Sequence, residues 1–205
     1  MITERIAADA PDTIQHALEV LNAGGVVAFP TDTVYGLGAP AFSVESVARL
    51  FAIKGRQQTK AIAVLIAESG DLKKVVAEAS EQALRLADRF WPGPLTLVLP
   101  RHPSLPGVLS PNDTIGVRVP DHAVARALLS AAGPMAVTSA NLAGGANPRS
   151  AEEVLAQLGG RIELVLDGGS TPGDQPSTVV DLTEAQPRVL RAGPISATQI
   201  SAALL

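Results

Sequence analysis

Short apolar runs that end in small polar side chains are the feature that most constrains this chain. The run 135–138 leads into Ser139 and Asn141, and the run 26–29 leads into Thr31. A core holds polar side chains only where something polar meets them, because an unpaired buried polar group is unfavourable. The pattern therefore predicts an α/β protein with a polar binding site at the ends of its strands.

Size and composition indicate one folded domain. The chain has 205 residues, 46% of them hydrophobic and 18% charged, so disorder is excluded and a real core can be buried. The absence of cysteine excludes disulfides, cysteine-bound zinc and a thiol nucleophile together. His16, His102 and His122 have no partner at a metal-ligand spacing, so we expect neither a protein-bound metal nor a histidine triad. We predict a single domain over residues 1–205.

Charge and hydropathy bear on partners and location. The formal net charge is −4, whereas a dedicated nucleic-acid binder is normally basic overall. The net charge does not exclude a local basic patch that binds nucleic acid. No charged-then-apolar leader pattern begins the chain, and no apolar run approaches the roughly 18 residues of a membrane helix. These features predict a soluble, cytoplasmic protein with no membrane contact.

Helices are predicted from apolar spacing and capping residues. Ile14, Leu18 and Leu21 recur at helical spacing before a stop at Gly24. The later helices are predicted to open at Ser43, Ser80, Asp121, Ser150 and Ser196. Leu84, Ala87 and Phe90 mark the predicted apolar face after Ser80, and Glu153 completes a capping box with Ser150.

Strands are predicted from short apolar runs bounded by turn residues. They cover residues 26–29, 61–66, 95–99, 115–119, 136–138, 164–166, 178–182 and 188–190. Several of these strands follow one another without a helix between them, which a doubly wound parallel sheet would not show. We therefore predict an α/β fold of the α+β type, with a twisted mixed sheet flanked by helices. The loop 101–113 is rich in proline and is a candidate flap.

A cluster of cations follows the second predicted helix. Lys54 and Arg56 flank a glycine, and Lys60 lies a few residues on. Arginine binds phosphate oxygens in pairs, and lysine supplies a point charge, so the cluster suits a polyphosphate. A solvated basic turn is the alternative. The chain contains neither a P-loop nor a Rossmann fingerprint, so a nucleotide would bind by another route.

Three further polar positions are candidates for a ligand. Arg118 lies between two valines, and strand alternation turns it to the opposite face. It either reaches a carboxylate or phosphate or is exposed on a half-solvated strand. Thr31 and Ser177 each place a hydroxyl beside a predicted strand. Plain strand-to-turn capping is the alternative for both hydroxyls.

Eight segments in order give the chain its resemblance to a known family. They are GGVVAFPTDTVYGLG (24–38), FAIKGR (51–56), WPGPLT (91–96), VRVP (117–120), TSAN (138–141), DGG (167–169), STVV (177–180) and LRAG (190–193). The sequence resembles the YrdC-like family of threonylcarbamoyl-AMP synthases, in its short form without the extra C-terminal domain of longer relatives. The resemblance implies a YrdC/RibB-like fold with a large concave cavity.

The resemblance also implies a reaction. Family members condense L-threonine, bicarbonate or CO2, and ATP into threonylcarbamoyl-AMP and pyrophosphate, with Mg2+ on the triphosphate. Partner proteins then transfer the threonylcarbamoyl group to a tRNA adenosine. Such a transfer needs positioning and charge neutralisation rather than a covalent enzyme intermediate.

Roles for individual residues follow from the same resemblance. The implied catalytic group is Lys54, Arg56, Ser139 and Asn141. The implied threonine-binding residues are Thr31, Arg118, Val137 and Ser177, with Arg118 on the carboxylate. The implied ATP-binding residues are Lys54, Arg56, Lys60, Thr114, Ser139, Asn141, Asn147 and Arg191.

The chain departs from the family pattern after its Lys-x-Arg segment. Gln57 and Ala61 stand where family members often have proline, so we expect a less rigid loop with the same cations. A non-catalytic module that binds tRNA or double-stranded RNA is the alternative function. A third possibility, carbamoyl transfer in hydrogenase maturation, is disfavoured because those relatives carry zinc-binding cysteines.

Overall fold

The computed structural model describes residues 1–55, 60–173 and 175–205. The strands are β1 Glu4–Ala7, β2 Val27–Phe29, β3 Gly36–Pro40, β4 Ala63–Leu65, β5 Leu95–Pro100, β6 Thr114–Arg118, β7 Met135–Ser139, β8 Leu164–Asp167, β9 Thr178–Asp181 and β10 Arg188–Arg191. The α-helices are α1 Thr13–Asn22, α2 Val44–Lys54, α3 Glu81–Phe90, α4 Ala123–Ala132, α5 Ala151–Leu158 and α6 Ala197–Leu204. Short 3₁₀-helices cover Ser69–Lys74 and Gly107–Leu109.

All ten strands belong to one mixed sheet. Their order across it is β1-β8-β2-β3-β7-β4-β6-β5-β9-β10. The pairs β1–β8, β2–β8, β4–β6 and β5–β9 are parallel, and the remaining neighbours are antiparallel. The prediction of a mixed sheet flanked by helices is confirmed.

Helices cover both faces of the sheet, which explains why its inner strands are continuous apolar runs. On one face, α1 and α4 pack with Phe29, Leu65 and Met135. On the other face, apolar residues of α2, α3, α5 and α6 pack with a larger set that includes Leu37, Val64 and Leu97. Since neighbouring residues in a strand point to opposite faces, the inner strands β2, β4, β7 and β8 contribute to both layers.

Serine caps fix the beginnings of most predicted helices. The hydroxyls of Ser43, Ser80 and Ser196 accept from the backbone N–H three residues later. Ser150 does the same at α5, but the predicted capping box there is incomplete. The Glu153 carboxylate accepts from the N–H of Arg149, at 2.7 Å, instead of from that of Ser150.

Two other helix predictions need correction. Leu84 is 53% exposed, and α3 instead buries Ala83, Leu86 and Ala87. The fourth helix begins two residues after Asp121, with His122 at its N-cap. Within the described ranges, no helix is both long and apolar enough to cross a bilayer.

The predicted proline-rich loop 101–113 is anchored in the core. Leu105 and Leu109 are almost fully buried, and a 3₁₀-turn forms around the second of them. Arg101 donates to the Leu105 carbonyl at 2.5 Å and to the Asp113 carboxylate at 3.2 Å. The loop thus has a defined conformation against the sheet.

Candidate functional site

A cavity of about 490 Å³ lies on the face of the sheet that α1 and α4 partly cover. Its volume falls in the range of roughly 300–1,000 Å³ that is typical of small-molecule sites. The lining is drawn from seven strands and the loops between them. It comprises Thr31, Thr33, Val34, Tyr35, Gly36, Ala61, Ile62, Ala63, Leu65, Thr96, Val98, Gly116, Arg118, Val137, Thr138, Ser139, Asn147, Pro176, Ser177, Val179, Leu190 and Arg191.

Strand register brings these residues onto one face. Val98 pairs with Gly116 across β5 and β6, so the next residues on that face, Thr96 and Arg118, are also neighbours. A Cβ added at Gly116 would lie 3.1 Å from Thr96 Cγ2 and 3.5 Å from Ala63 Cβ. Glycine therefore leaves open the floor of the cavity at this point.

Arg118 provides a charged group at the cavity floor, and only 6% of its surface is exposed. Its Nε donates to the Gly93 carbonyl at 3.0 Å, and its Nη1 donates to Thr33 Oγ1 at 3.0 Å. Its Nη2 donates to Asp32 Oδ1 in a buried ion pair. A guanidinium has five N–H donors, so these contacts among the described residues leave two for a ligand.

Burial outweighs the neighbouring negative charge in its effect on the pKa of Arg118. Burial lowers the pKa of the Arg118 guanidinium from its ordinary value, and the Asp32 carboxylate acts in the opposite direction. The same carboxylate acts on His122. Burial lowers the pKa of its imidazole, against the charges of Asp32 and Asp121.

Lys54 organises the turn after β7. This buried side chain donates from Nζ to the carbonyl oxygens of Ser139 and Asn141, each at 2.5 Å, and to Asn141 Oδ1 at 3.2 Å. The Ser139 hydroxyl donates to the same Oδ1 at 2.5 Å, and Asn141 Nδ2 donates to the Gly145 carbonyl at 2.6 Å. Lys54, Ser139 and Asn141 therefore form one hydrogen-bonded group.

Threonine hydroxyls line the turn after β2. Thr31 Oγ1 donates to the Val34 carbonyl at 2.7 Å and lies 3.0 Å from Thr33 Oγ1. It also accepts from the Thr33 N–H at 3.2 Å. The turn is therefore shaped by its own side chains, as its sequence predicts.

A second hydrogen-bonded group of the lining joins β5, β9 and β10. Ser177 Oγ lies 2.7 Å from Thr96 Oγ1, and Arg191 Nη2 donates to it at 3.1 Å. The same guanidinium donates to the Ser177 carbonyl from Nε at 3.0 Å and from Nη2 at 2.8 Å. Arg191 on β10 is thereby tied to the residue that begins β9.

Tyr35 links the cavity lining to the turn after β8. Its side chain is fully buried, and its hydroxyl donates to the Gly169 carbonyl at 2.7 Å and accepts from the Gly168 N–H at 3.2 Å. Burial raises the pKa of this phenol to about 12. The hydroxyl is therefore protonated over the physiological range and holds the 168–169 turn.

Most residues predicted from the sequence meet at this cavity. Its lining includes Thr31, Arg118, Val137, Ser139, Asn147, Ser177 and Arg191. Lys54 and Asn141 lie directly behind Ser139. Among the described residues, Lys60 and Thr114 are outside the lining, although Thr114 is on the same face of β6 as Gly116. Arg56 and Gln57 lie outside the described residues.

Several lining residues are not predicted by the sequence analysis. Thr33 and Thr96 contribute hydroxyls, and Gly36 and Gly116 contribute open space. Asp32 is the ion-pair partner of Arg118. A carboxylate three positions after a buried strand was a usable signal, but only the fold shows which cation it meets.

The fold and cavity define an α/β protein with a partly polar cavity, of a size typical of small-molecule sites, on one face of a mixed sheet. A family model named for Sua5, YciO and YrdC and described as "Telomere recombination" matches residues 19–193. The chain belongs to this family.

Curated relatives agree with this assignment. The chain is 43% identical over 189 residues to the threonylcarbamoyl-AMP synthase of Pyrococcus abyssi. The aligned residues make up 91% of this chain and 56% of the relative. It is 42% identical to a putative threonylcarbamoyl-AMP synthase of Mycobacterium tuberculosis, with coverage of 93% and 88%. The chain thus spans little more than half of some relatives and most of others.

Solved structures share the fold. P. abyssi Sua5 complexed with L-threonine superposes with a TM-score of 0.92 at 41% identity, over 99% of this chain and 59% of that one. Escherichia coli YciO superposes with a TM-score of 0.84 at 31% identity, over 94% and 97%. The predicted resemblance to the family and its fold is therefore confirmed.

Proposed function

We propose that this chain is a threonylcarbamoyl-AMP synthase that forms its product from ATP, L-threonine and bicarbonate or CO2. The observation that carries the proposal is the shared cavity: residues predicted for threonine and residues predicted for ATP line the same space. The names of the curated relatives and the L-threonine in the P. abyssi structure support this function over an RNA-binding module.

Threonine is assigned to the end of the cavity around Arg118. The two remaining N–H donors of its guanidinium suit a carboxylate, which a planar fork binds in pairs. Thr31 and Ser177 supply hydroxyls nearby, and Val137 supplies apolar surface for the methyl group of the substrate.

ATP is assigned to the end of the cavity around Ser139. Asn147 lines the same cavity, and Lys54 and Asn141 support Ser139 from behind. Arg191 lies beside Ser177, toward the threonine end, and joins the proposed ATP-binding set on the strength of the resemblance. Arg56, Lys60 and Thr114 complete the proposed ATP-binding set on the strength of the resemblance. Mg2+ would enter as part of the ATP substrate, held by phosphate oxygens and water.

The proposed chemistry needs no covalent enzyme intermediate. The amine of threonine adds to CO2 and loses a proton, which forms a carbamate. A carbamate oxygen then attacks the α-phosphorus of ATP, and pyrophosphate leaves. The residues named above would hold the reacting groups together and neutralise phosphate charge, and both effects lower the barrier.

The proposal has consequences for class and context. Transfer of an adenylyl group makes the chain a nucleotidyltransferase, consisting of a single domain over residues 1–205. Its mixed anhydride product would be consumed by threonylcarbamoyl-transfer proteins that modify tRNA, with any direct tRNA contact secondary. A cytoplasmic location stays a prediction from composition.

The test is pyrophosphate release from MgATP and bicarbonate, with and without L-threonine. We expect strong dependence on L-threonine and clearly weaker release with L-serine, which lacks the methyl group. Threonine-independent release, or none from folded protein, would contradict the proposal. A salt titration with double-stranded RNA tests the alternative, because phosphate binding weakens steeply with salt.

A further inference from the structure

We propose that Asp32 is a positioning residue that fixes the orientation of the Arg118 guanidinium at the cavity floor, where it would bind a carboxylate ligand. The inference rests on the proposed function, since it takes the carboxylate of threonine as that ligand. It adds to the reaction a residue that does not itself touch substrate.

Asp32 lies behind the cavity. It is absent from the lining that the described residues form, and its side chain is only 11% exposed. Oδ1 accepts from Arg118 Nη2 and from the Asp121 N–H, the latter at 3.1 Å. Oδ2 is buried and has no hydrogen-bond partner among the described residues. Arg118 is therefore the cavity-lining side chain through which the Asp32 carboxylate meets the site.

The guanidinium is held at all three of its nitrogens. The Gly93 carbonyl meets Nε, Thr33 Oγ1 meets Nη1, and Asp32 meets Nη2. Three contacts on a planar group fix both its plane and its rotation. Asp32 provides the contact in which both partners are charged, so Coulomb attraction adds to its hydrogen bond.

The same carboxylate couples two parts of the site. It belongs to the turn that carries Thr31, and it accepts from the N–H of Asp121, just beyond the end of β6. The turn and the strand end are therefore held together through one oxygen. Thr31 and Arg118, both assigned to threonine, gain a fixed separation from this link.

The negative charge of Asp32 could affect threonine binding in two opposite directions. Because Asp32 offsets the charge of Arg118, this guanidinium selects a carboxylate by its geometry and not by excess positive charge. If orientation dominates, removing the Asp32 charge weakens threonine binding. If Asp32 merely competed with the substrate for Arg118, the same change would strengthen binding.

The test compares Asp32→Asn with wild type in threonine-dependent pyrophosphate release. Glu163→Gln is the matched control, because Glu163 also pairs with an arginine, Arg49, and accepts from a backbone N–H, that of Val26. Both variants replace a paired carboxylate by its amide, but Glu163 is outside the described cavity lining. Thermal melts report on folding in each case.

We expect Asp32→Asn to raise KM for L-threonine about tenfold, with kcat and KM for ATP within about twofold of wild type. Glu163→Gln is expected to leave all three parameters within about twofold, even if it lowers the melting temperature. In an Arg118→Met background, Asp32→Asn should change kcat/KM for threonine by less than about twofold, since its target is gone.

An unchanged or lowered threonine KM in folded Asp32→Asn overturns the inference while leaving the proposed function intact. Equal rises in KM for threonine and ATP also overturn it, because they indicate a general structural role. If Asp32→Asn does not fold, Asp32→Glu keeps the charge but moves it, and the same threonine-specific rise is expected. A wild-type protein without threonine-dependent release overturns both the proposed function and the inference.

Discussion

Lys54 Nζ lies 2.5 Å from the carbonyl oxygen of Asn141 and 3.2 Å from its side-chain Oδ1. Through this pair, the end of α2 is fastened to the turn after β7. The sequence predicts Lys54 as a phosphate ligand, and the structure adds a second task, which is to hold Asn141 and Ser139 in place.

Replacing Lys54 by alanine should therefore harm both activity and stability. We expect most threonine-dependent pyrophosphate release to be lost. The free energy of unfolding should fall by about 1–3 kcal/mol, because buried acceptors lose their ammonium partner. Release is measured by a coupled pyrophosphate assay and stability by urea denaturation. The exposed Lys73 offers a control, and its change to alanine should affect neither.

Arg56 offers a separate test of the phosphate assignment. Its role is inferred from the Lys-x-Arg segment, and we expect Arg56→Ala to lose most adenylate synthesis as well. Near-normal pyrophosphate release by this variant would show that the phosphate assignment is wrong.

Ser177→Ala should weaken threonine binding. The hydroxyl is held by Thr96 and Arg191 at the cavity wall, and a hydrogen bond of this kind contributes about 1 kcal/mol. KM for L-threonine should rise roughly fivefold, as steady-state kinetics would show. Ser43→Ala is the matched control: it removes a helix cap and should lower stability by about 1 kcal/mol without a change in KM.

Gly116→Val should obstruct the cavity floor. Even the Cβ would lie 3.1 Å from Thr96 Cγ2, and the two methyl groups would project into the space for substrate. We expect a large rise in KM for the substrates, measured as above. Gly107→Ala is a suitable comparison, because a Cβ there meets no atom within 4 Å. Unimpaired kinetics of folded Gly116→Val would mean that the substrates bind elsewhere.

Tyr35→Phe should lower stability by about 1–2 kcal/mol, since the Gly169 carbonyl and the Gly168 N–H lose their partner. The phenol has a pKa of about 12, so the loss should be the same at pH 6 and pH 9 in urea denaturation. A loss that differs between these two pH values would contradict the account of Tyr35 as a protonated donor.

His122 should make the protein less stable in mild acid. Burial lowers the folded-state pKa of its imidazole below 6.5, so the unfolded chain binds the proton more readily. The contribution of His122 is full above pH 6.5 and is lost as the pH falls toward the folded-state pKa.

The measurement for His122 is the difference in unfolding free energy between wild type and His122→Gln across pH 5–8. This difference should become less favourable to wild type as the pH falls below 6.5. His16, whose pKa is raised by a hydrogen bond to Glu4, has the opposite trend, but it is present in both proteins and cancels. A pH-independent difference would show that His122 does not titrate differently on folding.

Helices and strands could be predicted where the residues of the segment itself favour them. Strand β3 could not, because its own residues argue against a strand. The segment Gly36–Pro40 contains two glycines and a proline, which argue against a strand. Yet it lies between β2 and β7 in the middle of the sheet. A Cβ at Gly38 would lie 2.8 Å from both Met135 and Phe29 side chains, so large neighbours take the space that glycine leaves.

The site shows the same limit. Arg118, Ser139 and Ser177 could be predicted because polar groups in apolar strands are conspicuous and match a known family. Asp32 and Thr96 could not be assigned, because their partners lie 86 and 81 positions away in the sequence. Only the sheet order decides which strands become neighbours.

The spread of the cavity along the chain has a consequence for its synthesis. Lining residues run from Thr31 to Arg191, and neighbours in the cavity come from distant parts of the sequence. Such non-local pairing forms slowly, because closing the long loops costs conformational entropy before the new contacts stabilise the fold. A nascent chain would have no complete site until residue 191 had left the ribosome, so ligand binding could not begin before the last strand, β10, was available to the sheet.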